Sequence, residues 1–151
     1  MQRTIDERRQ QAVESLAILD SPVDPRFDAL TQLARSLFGV AYSTGTIIDD
    51  DRAWFASCGG LPIDEMPRRQ TFCDTTVRLA RPLHVADARA DPDFADLPGV
   101  TGPLGIRFYA GYPLVDPTGI AIGSFCLYGT EPRVLDPHED DLFRQLAAMA
   151  Q

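Results

Sequence analysis

Two pairs of strand-like segments, each closed by a tight turn, constrain the fold of this chain more than any other feature. The first pair covers residues 41–48 and 52–58 around an aspartate-rich turn, and the second covers 106–115 and 120–128 around an Asp-Pro-Thr-Gly turn. In the second pair, apolar residues occupy intervening as well as alternate positions, which predicts that both faces of the sheet are covered. With a further short strand at 83–85, we expect a mostly antiparallel sheet of about five to six strands.

Four segments with a helical spacing of apolar residues surround these strands. The first covers 5–19, the second begins at an Asp24-Pro25 cap and closes at Gly39, and the others cover 70–79 and 136–151. The apolar stripe of the second helix consists of Phe27, Leu30, Leu33, Ala34, Leu37 and Phe38. A long loop rich in Pro, Asp and Gly precedes the second hairpin. This order of elements predicts an α+β fold with helices on both faces of the sheet.

The composition restricts the classes of protein to which the chain can belong. A length of 151 residues with 44% hydrophobic content fits one domain. The formal net charge of -8, spread along the chain, opposes binding to nucleic acid, which needs clustered positive charge. No window has the roughly 18 to 20 apolar residues of a membrane span, and the polar N-terminus does not resemble a signal peptide. We therefore expect a cytoplasmic protein without membrane insertion.

Patterns for catalysis and for metal binding are weak. The chain has no lysine, which excludes Schiff-base and P-loop chemistry, and no Ser-His-Asp set or carboxylate pair stands out. Two lone histidines, His84 and His138, and three widely spaced cysteines do not form a zinc pattern. His84, in a short strand, is expected to be a satisfied half-buried side chain, and His138, in the first turn of a helix, to be solvated. We expect no catalytic residues and no metal site.

The cysteines differ in what their positions predict. Cys73 follows Phe72 near the start of a predicted helix, where the helix dipole could lower the thiol pKa and make it reactive. The alternative is that Cys73 is a small buried apolar residue, as free cysteines commonly are. Cys126, in the middle of a strand, is expected in the core, and Cys58, beside two glycines, at a partly exposed strand end.

An aromatic-rich set could form a pocket for a planar ligand such as a nucleotide, although such residues are equally expected in a core. The pocket candidates are Trp54, Phe72, Cys73, Phe94, Arg107, Phe108, Tyr109 and Tyr112. Arg107 stands out because a guanidinium in a strand buried on both faces must be paired. Asp87 or Asp91 is the expected structural partner, and a carboxylate or phosphate of a ligand is the alternative.

Several stretches, in order and over nearly the whole chain, together resemble a known family. They are Ile18-Leu19-Asp20 with Phe27-Asp28, Asp51-Arg52 with Trp54-Phe55, Pro67-Arg68 with Phe72-Cys73, Asp91-Pro92 with Phe94, Val100-Thr101-Gly102-Pro103, the run from Ile106 to Gly111, and Ile122-Gly123 with Cys126. The series resembles the GAF domains of bacterial sensor histidine kinases and diguanylate cyclases. No single piece is diagnostic, and the resemblance rests on the series.

The resemblance implies a sheet in the order 2-1-5-4-3, a layer of terminal helices on one face and a small-molecule pocket on the other. It also implies a homodimer formed by the first and last helices, which pass a signal to a downstream output domain of a longer protein. The dimer candidates on these helices are Val13, Leu16, Leu142, Leu146 and Met149. Bilin attachment is not expected, because Asp74 rather than histidine follows Cys73, and neither haem nor a metal is expected.

Residues 1–151 are therefore interpreted as one GAF domain at the N-terminus of a longer signalling protein. Its function would be non-catalytic, either binding a small molecule or relaying a signal through paired helices to a histidine kinase or diguanylate cyclase. One alternative is a reductase of free methionine sulfoxide that uses cysteine thiols, although the spacing of the cysteines does not resemble that of such enzymes. The other is a dimerisation module whose pocket is filled by side chains.

Overall fold

The elements below come from a computed structural model, which describes residues 5–16, 25–49, 51–59 and 65–150. The helices are α1 (Ile5–Leu16), α2 (Pro25–Phe38), α3 (Phe72–Leu79), α4 (Pro98–Thr101) and α5 (Pro137–Ala150). The strands are β1 (Tyr42–Asp49), β2 (Arg52–Gly59), β3 (Glu65–Pro67), β4 (Leu83–Val85), β5 (Phe108–Val115) and β6 (Ala121–Gly129). Short 3-10 turns at Arg68–Gln70 and Ala88–Ala90 precede α3 and α4.

The six strands form one antiparallel sheet in the order β3-β2-β1-β6-β5-β4. With the three-residue edge strand β3 set aside, the remaining five follow the predicted order 2-1-5-4-3, and the α+β class is confirmed. β3 was not predicted from the sequence, and its last residue is a proline. Every residue of the central strand β6 is buried, as expected for a sheet covered on both faces.

Successive side chains of β5 point to opposite faces of the sheet and so belong to two different layers of the core. Tyr109 packs with α3 on one side of the sheet, which we call the α3 face, while Phe108 and Ala110 pack with α2 and α5 on the opposite side, the α2/α5 face. α1 joins the second layer, where Val13 packs against Ile47 of β1. The three longest helices therefore cover one face, and the site candidates must be divided between the two.

The local sequence explains where α2 begins and ends, but its apolar stripe is rotated from the predicted one. Pro25 starts the helix, and Gly39 follows its end with a φ of 63°, a conformation that favours glycine. Thr31 and Ala34 face the sheet, and the Thr31 hydroxyl lies 2.8 Å from the Ser57 hydroxyl. Leu33 and Leu37, expected in the buried stripe, are instead 44% and 53% exposed. They lie one turn apart on a side of α2 that residues 5–16, 25–49, 51–59 and 65–150 leave uncovered.

The last helix begins as the sequence predicts. The Asp136 carboxylate accepts a hydrogen bond from the Glu139 amide at 2.7 Å, and the Glu139 carboxylate accepts one from the Asp136 amide at 3.1 Å. This reciprocal cap fixes the start of α5. None of the helices in the described part of the chain is long and apolar enough to cross a membrane.

The dimer candidates on the terminal helices divide into buried and exposed residues. Val13 is fully buried against the sheet and Leu146 is 6% exposed, so both belong to the core of a single chain rather than to an exposed interface. Leu142 is partly buried in the same layer, whereas Met149 is 68% exposed. The side chain of Leu16 lies outside the described residues. Because amphipathic helices bury their stripe against their own sheet first, the sequence pattern could not identify the outer surface.

Candidate functional site

Four of the predicted pocket residues come together on the α3 face. Phe72, at the first position of α3, stacks on Tyr109 of β5 with ring centroids 4.7 Å apart, and on Phe94 at 5.0 Å. Cys73 lies beside this stack and is fully buried. α3 is held in place by Thr71, whose hydroxyl accepts a hydrogen bond from the Asp74 amide at 3.2 Å. This aromatic stack is the centre of the candidate site.

Three other pocket candidates lie on the opposite face of the sheet, away from the aromatic stack, and so do not belong to a site on the α3 face. Trp54 packs in the cluster that contains Val13 of α1. Phe108 packs in the α2/α5 layer, with the Arg133 guanidinium 6.0 Å from its ring centre. Tyr112 contacts Phe143 of α5 at a centroid distance of 5.0 Å. Composition alone could not assign aromatic side chains to one face or the other.

Arg107 also differs from the prediction. It lies just before β5, is half-buried, and donates hydrogen bonds to the carbonyl oxygens of Val100, at 2.9 Å, and Ile106, at 3.0 Å. The expected partners are not used: Asp87 accepts hydrogen bonds from Arg89, and Asp91 from the Asp93 amide. Arg107 therefore links the start of β5 to α4 through these two hydrogen bonds.

Replacing Arg107 with alanine is expected to lower the free energy of unfolding by about 1 to 2 kcal/mol, because two charge-assisted hydrogen bonds to backbone carbonyls are lost. Urea denaturation of the purified protein measures the change. Arg89→Ala is the matched control, since Arg89 is exposed and its ion pair with Asp87 should contribute less than about 1 kcal/mol. Equal effects of the two variants would show that Arg107 does not hold α4.

A small apolar cavity adjoins the aromatic stack. Its volume is about 30 Å³, and its walls include Met66, Phe72, Leu104, Ile106 and Tyr128. Ligand pockets usually enclose roughly 300 to 1,000 Å³, whereas about 10 to 15 Å³ holds one water molecule. The cavity therefore accepts molecules of the size of one or two waters. A planar ligand of nucleotide size enters only if a side chain such as Phe72 moves.

Two thiols meet beneath the stack. The Sγ atoms of Cys73, on α3, and Cys126, on β6, are 3.4 Å apart, and both residues are fully buried. The Tyr128 hydroxyl lies 3.1 Å from Cys73 Sγ, and the Tyr109 hydroxyl lies 3.2 Å from Cys126 Sγ. The Ser124 hydroxyl lies 2.8 Å from Cys126 Sγ. The expected core position of Cys126 is thus observed, but within a polar network.

Threonine hydroxyls complete this network. Thr46 Oγ1 lies 3.5 Å from Cys73 Sγ, and Thr44 Oγ1 lies 2.9 Å from Thr46 Oγ1 and 3.1 Å from the Tyr128 hydroxyl. Thr76 of α3 lies 2.9 Å from the Tyr109 hydroxyl. Each hydroxyl named here has a partner, which offsets the cost of burying polar groups.

The two thiols differ in acidity. Burial raises the pKa of the Cys73 thiol, but hydrogen bonds from Cys126, Ser124, Tyr128 and Thr46 outweigh it, so the pKa lies below that of an ordinary thiol. Burial and the neighbouring Cys73 sulfur raise the pKa of Cys126 well above its usual range. Cys73 is therefore the more acidic of the two thiols.

The network could not be predicted from the sequence, because Cys73 and Cys126 are far apart in the chain. A signal was nevertheless present. Thr44 and Thr46 occupy alternate positions of one apolar strand, and Ser124 and Cys126 do so on its neighbour, which places each pair on one face. Cys58 lies in β2, but its side chain falls outside the described residues.

An ion pair behind α3 was also missed. Arg68 is 8% exposed and Asp74 is 5% exposed, and Arg68 Nε donates to Asp74 Oδ1 at 2.8 Å. Arg78 Nε lies 3.2 Å from the second Asp74 oxygen. The pair joins the 3-10 turn to the first turn of α3 and so fixes the position of the neighbouring Cys73.

Neither histidine lies at this site. His84 is more exposed than expected, with 42% of its side chain accessible, and its Nε2 lies 3.4 Å from Asp140 on α5. His138 is exposed, as predicted. Among the residues that the structure describes, no three or more His, Cys, Asp or Glu side chains are grouped to hold a metal ion.

Comparison with known proteins agrees with this architecture. A cyclic di-GMP phosphodiesterase of Pseudomonas aeruginosa is 40% identical over 129 residues, which cover 85% of this chain but only 22% of that protein. The chain thus spans about a fifth of its relative.

Two solved structures share the fold at low sequence identity. The free methionine-R-sulfoxide reductase of Neisseria meningitidis, solved with its substrate, has a TM-score of 0.67 at 20% identity and covers 97% of this chain and 85% of its own. The GAF domain of PixJ from Thermosynechococcus elongatus, in its blue-light-absorbing form, has a TM-score of 0.64 at 19% identity and covers 99% and 86%. The model of the GAF domain family matches residues 22–151, and the chain belongs to that family.

Proposed function

We propose that this GAF domain is a regulatory module that controls an output domain in the same protein. The observation that carries the proposal is the 40% identity to a protein named as a cyclic di-GMP phosphodiesterase, of which the matched part is only 22%. An output domain that acts on cyclic di-GMP is therefore favoured over a histidine kinase. The domain itself is proposed to be non-catalytic.

The path of a signal would run through the two central strands. α3 packs on β6, β5 and β1 at one face, and α1 packs on β1 and β6 at the other. Arg9 of α1 donates a hydrogen bond to the Ile48 carbonyl, and the Gln10 side-chain amide donates one to Asp49 at 2.6 Å. A shift of α3 that bends β1 would therefore move α1. A ligand acts in this scheme by stabilising one of the two arrangements.

Binding of a small molecule on the α3 face is the proposed input. The cavity is apolar and about 30 Å³ in volume, so a larger ligand must displace part of its wall. Phe72 is the most direct candidate for that movement, because it belongs both to the wall and to the stack on α3. No bilin, haem or metal is proposed, since Cys73 is enclosed by hydroxyl and thiol partners.

A second copy of the chain is the proposed partner of the outer surface of the helix layer. Leu33 and Leu37 of α2 and Met149 of α5 are large apolar side chains exposed on helices that pack against each other. Leu33 and Leu37 form a stripe one turn apart, the spacing that an antiparallel or parallel helix pair uses. This surface replaces Val13 and Leu146 in the dimer hypothesis, and it lies beside the last helix, which would lead to an output domain.

A double substitution, Leu33→Glu with Leu37→Glu, is expected to raise the dissociation constant of the dimer by more than about tenfold, because four carboxylates would face an apolar interface. Sedimentation velocity over a range of concentrations measures it. Protomer stability should change by less than about 0.5 kcal/mol, since both positions are exposed. Leu79→Glu, at an exposed position of α3, is the control and should leave the dimer intact. A wild-type domain that stays monomeric at high concentration would contradict the proposal.

The two alternatives from the sequence have different support. A reductase of free methionine sulfoxide is favoured by the close pair of Cys73 and Cys126, but such a substrate is much larger than the cavity beside them. A dimerisation module without a ligand is favoured by the filling of the α3 face by Phe72 and its neighbours. The regulatory proposal includes this second alternative as the case in which no ligand binds and the signal passes through the dimer alone.

A further inference from the structure

We propose that Cys73 and Cys126 form a reversible disulfide when a small hydroperoxide reaches them, which makes this pair an oxidation site of the domain. The Sγ atoms are 3.4 Å apart, and no side chain lies between them that would have to leave. A disulfide bond is about 2.05 Å long, so the sulfurs must approach by roughly 1.4 Å. The proposal requires that rotation of the cysteine side chains, together with a small shift of α3, supply this displacement.

The surroundings favour Cys73 as the sulfur that is oxidised first. The Tyr128 hydroxyl lies 3.1 Å from its Sγ atom and can donate a hydrogen bond to a thiolate, while the Cys73 thiol donates to Thr46 Oγ1 at 3.5 Å. The hydroxyls of Ser124 and Tyr109 lie closer to Cys126 Sγ, at 2.8 and 3.2 Å, although the Tyr109 hydroxyl also donates to Cys73 Sγ at 3.9 Å. The two sulfurs therefore have different hydrogen-bond surroundings. This difference suits a pair in which Cys73 attacks the oxidant and Cys126 resolves the product.

The reaction balances in two steps. The Cys73 sulfur attacks one peroxide oxygen, the O–O bond breaks, and the products are Cys73 sulfenic acid and water or an alcohol. The Cys126 sulfur then attacks the Cys73 sulfur, forming the S–S bond and releasing the sulfenic oxygen as water. In total two thiols lose two electrons and two protons, and the hydroperoxide accepts them. A dithiol reductant reverses the change by thiol–disulfide exchange.

The cavity restricts which oxidant arrives. Phe72 and Tyr128 belong to its wall, and the Tyr128 hydroxyl lies 3.1 Å from Cys73 Sγ, so the Tyr128 side chain is what separates the cavity from the thiol pair and an oxidant must pass it. Its volume of about 30 Å³ admits hydrogen peroxide, which is little larger than water, but not a disulfide such as oxidised glutathione. The resulting bond would tie α3 covalently to the central strand of the sheet. The reaction requires neither a ligand on the α3 face nor an output domain.

Peptide mapping of the oxidised protein tests the proposal. The reduced protein is treated with hydrogen peroxide, unfolded in the presence of N-ethylmaleimide, and digested after arginine, which leaves each cysteine on its own peptide, 53–68, 70–78 or 108–133. We expect peptides 70–78 and 108–133 to be joined with the loss of two hydrogens, and peptide 53–68 to carry the label. Dithiothreitol should restore labelling of all three, and oxidised glutathione in place of peroxide should leave Cys73 and Cys126 labelled.

Two variants sharpen the result. Cys58→Ser should form the same cross-link, whereas Cys126→Ser should stop at a Cys73 sulfenic acid that dimedone traps. The proposal is overturned if wild-type Cys73 remains fully labelled after peroxide treatment, if Cys58 enters the cross-link, or if Cys73 is converted directly to sulfinic acid. Because the wild-type map alone decides between these outcomes, a variant that fails to fold does not weaken the test.

Discussion

Replacing Gly123 with alanine is expected to lower the free energy of unfolding by about 3 kcal/mol, a large part of the total stability of a domain of this size. Gly123 lies in β6 opposite Ile47 of β1. A Cβ atom at this position would fall far inside van der Waals contact with the Thr46 carbonyl oxygen and 3.0 Å from the carbonyl carbon. Urea denaturation, followed by the fluorescence of the single tryptophan, Trp54, measures the loss.

The expected loss is large because the obstacle is backbone rather than a flexible side chain. Thr46 pairs with Ser124 within the ladder between β1 and β6, so its carbonyl cannot retreat without disturbing the centre of the sheet. The same two strands carry the hydroxyls around the thiol pair. The Ile122-Gly123 stretch that contributes to the family resemblance thus has a physical reason: only glycine permits this close approach.

Gly129→Ala is the matched control, since Gly129 lies in the same strand. An added Cβ there meets side-chain atoms of Phe108 at 3.3 Å, which a small adjustment relieves, so the cost should stay near about 1 kcal/mol or below. If the Gly123 variant were no less stable than the Gly129 variant, the close approach of β1 and β6 would not exist in solution.

Much of the fold could be predicted from the sequence because local rules decide it. The second hairpin depends on Asp116, whose carboxylate accepts hydrogen bonds from the Thr118 and Ile120 amides at 2.9 Å, and the last helix depends on its reciprocal cap. β3 could not be predicted, because a three-residue strand has no periodicity and owes its pairing to β2. The exposure of Leu33 and Leu37 likewise depends on tertiary packing, which rotates the buried stripe of α2.

Only part of the candidate site could be predicted, because its position also depends on tertiary packing. Alternation indicates that Phe108 and Tyr109 lie on opposite faces, but it does not indicate which face holds α3. Arg107 was expected to need a carboxylate, yet carbonyl groups at the end of a short helix serve as well, because the guanidinium remains half-buried. The Cys73–Cys126 pair depends on docking α3 over β6, a contact between distant parts of the chain that no local pattern encodes.

Replacing Phe72 with alanine is expected to lower the free energy of unfolding by about 3 to 5 kcal/mol, because Phe72 is 3% exposed and stacks on both Phe94 and Tyr109. The variant should leave an apolar cavity that binds benzene, so benzene should raise its melting temperature and not that of the wild type. Phe72→Leu, which keeps most of the apolar volume, should cost about 1.5 kcal/mol or less.

The size of the Phe72→Ala effect also bears on the regulatory proposal. A ligand larger than about two water molecules reaches the α3 face only by displacing wall side chains, and the displacement of Phe72 costs free energy that the ligand must supply. If the loss is near the expected value, only a ligand with a substantial apolar or aromatic surface can act as the input, because it must replace the contacts to Phe94 and Tyr109. A loss below about 1 kcal/mol would contradict the tight stack and would mean that Phe72 moves aside easily, leaving the face open to small polar ligands.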